Sequence, residues 1–153
     1  MALSDQEKVE KFIEGAKLTA LTSIVSATSE QKEIDNIVKK YGQDKWLYYA
    51  TIASLGSILV KRSVELEEEG DSEIVQLYET AIDSWDKQAL EKIEQLSSFI
   101  ISKEVDNKEE FYEAIGIWVI EEVTEKPTDS RINETAHWLG WLIRTNMDIF
   151  MFH

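Results

Sequence analysis

The sequence predicts an all-α protein, a single-domain bundle of five to six helices, mostly antiparallel. Three observations predict it. Apolar residues recur at three- and four-residue steps through most of the 153 residues, the period of helices with one buried face. Ser, Thr or Asn followed three residues later by Glu or Gln recurs at the start of such stripes, which is helix-capping chemistry. Gly is held to 6 and Pro to 1, so little interrupts a helix.

Ser4 with Glu7 opens the first helix, and Val9, Phe12, Ile13, Ala16, Ala20 and Ile24 form its stripe to about Val25. Thr28 with Gln31 opens a short second helix with Ile34, Ile37, Val38 and Tyr41 on one side, and Gly42 follows as a left-handed stop. From Asp44 to Glu69 the apolar positions Trp46, Leu47, Tyr49, Ala50, Ala53, Ile58 and Leu59 crowd more than one face, as a central helix requires, and Gly70 closes it. Ile74, Tyr78, Ala81, Trp85, Ala89, Ile93, Leu96 and Ile100 then keep step for nearly thirty residues, with Asp83-Ser84 the candidate break.

Asn107 and Glu110 cap the next helix, which carries Phe111, Ile115, Trp118, Val119 and Val123. Its piece GIWVIEEV, 116–123, has β-branched residues, but the capped entry favours helix over strand. Pro127 lies in the loop EKPTDS. Asp129 or Ser130 starts the last helix, with Ile132, Ala136, Leu139, Ile143, Met147 and Phe150 inward. No linker splits the chain, so residues 1–153 read as one domain.

Composition narrows function. There is no cysteine, which removes disulfides, thiolate chemistry and Cys-based zinc sites. The N-terminus MALSDQEKVEKF has charge where a signal peptide is apolar, so a cytoplasmic protein with no membrane partner is expected. The net charge of -14 repels phosphate, and any nucleic-acid contact must be local. Between Ile37 and Ser63, Lys39, Lys40, Lys45, Lys61 and Arg62 stand against Asp44 alone, a +4 island with Trp46, Tyr48 and Tyr49 inside it. These five cations are the candidate nucleic-acid-binding residues. The opposite feature is the run of six acids in 65–73, a solvated turn or a surface for a basic partner.

Catalytic chemistry finds little footing, and neither an enzyme nor a cofactor is expected. Glu134 and His137 make one Glu-x-x-His, half of a di-iron ligand set, but the second half and two further glutamates are wanting. Arg131 and His137 have the Arg-x5-His spacing that resembles the HEPN family of helical ribonucleases, in an acidic setting.

The last helix carries a further resemblance. Its Ala136, Leu139, Trp141, Leu142 and Arg144 follow a pattern similar to the final helix of the small helical subunit of type III-B CRISPR effector complexes, the Cmr small subunit. IVKKYG (37–42), SLGSIL (54–59), the acidic region and FYEAIGIWVIEEV (111–123) follow that family's helix order. Ala53-Ser54-Leu55 departs from its Asn-Gly-Leu, and Thr145-Asn146 from its following aromatic.

The resemblance implies a noncatalytic building block of an antiviral RNA-guided particle, packed along the guide-target duplex. Its partners would be other protein subunits and RNA backbone. Trp138, Trp141 and Arg144 are the candidate partner interface, with Gly140 permitting close approach and Arg144 able to stack on Trp141 as a cationic tip. Two other readings stand beside it: an acidic helical inhibitor or immunity-type protein covering one basic nucleic-acid enzyme or effector, and a HEPN-type ribonuclease.

Overall fold

The computed structural model describes residues 4–26, 32–69 and 73–152, with side chains described for 4, 6–26, 32–59 and 75–150. Among the described residues there are seven α-helices and no strand. They are α1 (Asp5–Val25), α2 (Lys32–Tyr41), α3 (Gln43–Glu69), α4 (Glu73–Trp85), α5 (Ala89–Ser102), α6 (Lys108–Thr124) and α7 (Asn133–Phe152), with a 3-10 turn at Ser130–Ile132 before α7.

Local chemistry accounts for most boundaries. The Ser4 hydroxyl accepts the Glu7 amide at 3.2 Å and starts α1. Gly42 takes φ 103° between α2 and α3, a conformation that strains any side chain. The capping pair expected at Thr28 and Gln31 lies outside the described residues. Asn107 accepts the Glu110 amide at 2.9 Å, and the Glu110 carboxylate accepts the Asp106 amide at 2.8 Å, so GIWVIEEV is helical. Asp129 caps the 3-10 turn by accepting the Arg131 amide.

The helix count exceeds the expected five to six because 74–100 is two helices, α4 and α5. The break falls at Asp86–Gln88 rather than Asp83-Ser84. Asp86 Oδ1 accepts the Gln88 amide at 2.8 Å and its carbonyl accepts the Ala89 amide at 3.1 Å, a tight turn that restarts the helix. Ile82 and Ala89 on either side stay buried, so the apolar rhythm continues through a turn that periodicity alone does not reveal.

The core forms where α3 meets the other helices: Trp46, Ala50, Ile52, Ala53, Leu55 and Ile58 are buried on several faces of it. Trp46 is fully buried and its indole N–H donates to Ser23 Oγ at 2.9 Å, tying α3 to α1. The most extensive pairing is between α6 and α7. A Cβ at Gly116 would fall on the Ala136 carbonyl, and one at Gly140 on the Tyr112 carbonyl. As the register rises along α6 it falls along α7, so these two helices run in opposite directions. Glycine at both points lets the backbones touch, and any side chain would force them apart.

Candidate interaction surfaces

The Gly42 turn brings the end of α2 to the start of α3, and with them Lys39, Lys40 and Lys45. Lys40 lies 5.4 Å and Lys45 5.9 Å from the Tyr41 ring centroid. The loop after α6 completes the site. An open cleft of about 340 Å³ is lined by Lys40, Tyr41, Ile120, Lys126, Pro127 and Ile132, among others. Its loop wall is held by Glu121, whose carboxylate accepts both the Thr128 amide at 3.0 Å and the Thr128 hydroxyl at 2.9 Å.

Neighbouring cations that do not line this cleft already have partners. Lys39 pairs with Asp35 at 2.9 Å, Lys45 with Glu125 at 3.1 Å, and Arg131 with Asp129 at 2.7 Å. The Arg131 guanidinium holds the Asp129 carboxyl below its ordinary range, chiefly through their hydrogen bond. Lys40 and Lys126 are exposed and have no carboxylate within 4.0 Å among the described residues. Both of the cleft's lining cations are thus open to an anion.

The length of α3 divides the five candidate cations into two groups. Lys61 and Arg62 lie sixteen and seventeen residues beyond Lys45 on the same helix, about 24 Å along its axis, so they cannot join the Lys39–Lys45 cluster. Their side chains lie outside those described, as do the side chains of the acids at 65–73. Sequence alone does not single out Lys126, since nothing local links a loop residue to Lys40 across more than eighty positions. Of the island's aromatics, Trp46 is core, and Tyr48 and Tyr49 are half-buried against Trp85 and Trp118; Tyr41 is the ring at the cleft.

At the last helix the structure separates the three candidate interface residues. Trp141 is 44% exposed and Trp138 is half-buried against the core. Arg144 is the correction: it is no exposed tip, being 6% exposed. Its Nη1 donates to the Ser57 carbonyl at 2.7 Å and its Nη2 pairs with Asp148 at 3.0 Å. It lies one turn after Gly140, where α7 is pressed closely on the bundle, so the guanidinium reaches inward to α3 instead of outward over Trp141.

His137 sets its ring edge-on to Tyr112 at 5.9 Å, while Arg131 is engaged with Asp129. The two residues of the Arg-x5-His spacing thus have separate partners. Among the described residues no group of three His, Asp or Glu side chains converges as metal ligands, and no helix is long and apolar enough to cross a membrane.

A second surface escaped the sequence. Leu18, Leu21 and Val25 of α1 are 47%, 44% and 75% exposed, and Ile149 of α7 is 54% exposed. The signal was present as a second three-then-four spacing on α1, off the core stripe. No protein-family model, no curated protein and no solved structure matches this chain.

Proposed function

We propose that this chain is a noncatalytic structural subunit of a cytoplasmic, RNA-guided effector particle of the type III CRISPR kind. It would act as one mostly antiparallel bundle that packs beside the guide-target duplex. The observation that carries the RNA part is the convergence, in a chain of -14, of Lys40 and Lys126, which have no carboxylate partner among the described residues, at a cleft with Tyr41 in its wall. Two lysines on a fixed loop and helix end can hold two phosphates without reading bases, and Tyr41 offers a ring for a base to stack on. The protein contacts would use the Trp141 side of α7.

The test is the salt dependence of binding to a labelled single-stranded RNA 12-mer, followed by fluorescence anisotropy. Two phosphate contacts give a slope of log K against log salt of about -1.4, whereas all five expected cations would give about -3.5. Lys40→Ala with Lys126→Ala should remove the slope. Binding that is independent of salt, or a slope untouched by the double variant, refutes the RNA contact. Recovery of the chain from its native cell with a guide-RNA particle supports the assembly; recovery only as a free protein refutes it.

A further inference from the structure

We infer that the Lys40–Lys126 cleft holds the phosphorylated end nucleotide of an RNA strand rather than a stretch of the strand's interior; this rests on the reading of the cleft as the RNA contact. Size comes first. A cavity of about 340 Å³ lies at the small end of the range of about 300–1,000 Å³ that takes a compact ligand, which is room for one nucleotide and its phosphate. The wall divides as a nucleotide does. Ile37, Ile120, Pro127 and Ile132 present apolar surface beside the Tyr41 ring, and Lys40 and Lys126 supply charge. The threonines there have spent their hydroxyl donors: Thr124 donates to the Ile120 carbonyl at 2.8 Å and Thr128 to the Glu121 carboxylate at 2.9 Å. The base is therefore held by stacking and apolar contact, and the phosphate by the ammonium groups.

Charge chooses an end over an interior segment. A strand passing through the cleft leaves it on two sides, and each side must accommodate further phosphates. Next to the lining residues, Lys39 is paired with Asp35, Lys45 with Glu125 and Arg131 with Asp129, so these three cations add no open charge to neutralise the outgoing backbone. The body beyond them belongs to a chain of -14, which repels it. An end nucleotide meets that repulsion once. It also brings more charge to the two open lysines, because a terminal phosphate carries about -1.5 to -2 at pH 7 and a linking phosphate a single negative charge.

The loop that carries Lys126 is set before any strand arrives. Glu125 turns the chain at φ 57° with its amide donating to the Glu121 carbonyl at 2.8 Å, and the Glu121 carboxylate holds Thr128 on the other side. Little backbone has to be ordered on binding, so the gain from the second phosphate charge is not offset.

The probes are RNA 12-mers of one sequence with an internal fluorescent label and a 5′-phosphate, a 3′-phosphate or hydroxyls at both ends, titrated with the full chain and followed by anisotropy. One phosphorylated 12-mer should bind about tenfold tighter than the hydroxyl form, and which of the two does so gives the strand polarity. Lys40→Ala and Lys126→Ala should each erase that preference. Lys108→Ala, which removes an exposed charge at the other end of α6, should keep it. Equal binding of all three 12-mers, lost in the double variant, overturns the end-nucleotide inference and leaves the RNA contact standing. Absence of salt-dependent binding by any 12-mer refutes the contact itself. Displacement of the phosphorylated 12-mer by equimolar adenosine 3′,5′-bisphosphate overturns the strand end as well, since a free nucleotide is then the ligand.

Discussion

Gly116→Ala sets two physical terms of opposite sign against each other. Alanine is the better helix former by about 0.8–1 kcal/mol, and Gly116 lies within α6, so propensity alone predicts a more stable protein. The new methyl, however, would meet the carbonyl oxygen, carbonyl carbon and Cα of Ala136. Backbone cannot rotate away as a side chain does, so α6 and α7 must separate along the largest helix pairing of the fold. Overpacking costs about 1–3 kcal/mol, and a backbone collision belongs at or above the upper end. The net effect is a loss of about 2 kcal/mol, which for a chain of this length lowers Tm by about 4–8 °C. Urea unfolding followed by circular dichroism should show a lower midpoint at unchanged slope. Gly140→Ala pushes on the same interface at Tyr112, and once the helices have parted the second methyl meets less resistance, so the double variant should lose less than the sum. A Gly116→Ala protein as stable as the parent or more so would refute the close-contact account.

Arg144→Ala should cost about 3 kcal/mol, because it removes a charged hydrogen bond to the Ser57 carbonyl and leaves a void beside it. Arg144→Met, which keeps the volume, should cost less, and a loss below about 0.5 kcal/mol for alanine in urea unfolding would refute the internal tie. Burial first, and then the Asp86 carboxylate, push the Tyr48 hydroxyl up to about 12. Tyr48 should therefore ionise late in a titration at 295 nm, and Asp86→Asn should bring it down while burial keeps it above the ordinary value. The sign for stability follows: the neutral phenol is favoured in the folded state, so Tyr48's contribution is complete below about pH 10 and is lost as pH rises through about 12. Unfolding midpoints that hold steady across that window, with Tyr48→Phe as the reference, would contradict it.

Helix positions were readable from the chain because caps and stripes are local. Ser4, Gly42, Asn107 and Asp129 each act within a few residues of themselves, and the interactions that matter there span one turn. The α4–α5 break was misplaced for a related reason: the turn at Asp86 keeps Ile82 and Ala89 in the core, and a pattern that survives a turn cannot report it. The interaction surfaces depend on distant pairings. A count over residues 37–63 adds Lys39 and Lys45 to the basic island, but folding sets Asp35 one turn below the first and Glu125 from eighty residues away against the second. The same count takes in Lys61 and Arg62, which the rise of α3 carries away, and it leaves out Lys126, which the loop returns. Arg144 shows the limit from the other side. Helical spacing placed it one turn beyond Trp141, and only the contact of Gly140 with Tyr112, which draws α7 onto the bundle, turns the guanidinium inward to Ser57. A charge window describes the chain, whereas a binding face is what remains after the fold has paired its own charges, and at this cleft the cations that remain among the described residues are Lys40 and Lys126. The low salt slope expected for RNA follows directly from that subtraction, so a slope near about -2.8, that of four contacts, would mean that the ion pairs of Lys39 and Lys45 open on binding and that both lysines join Lys40 and Lys126.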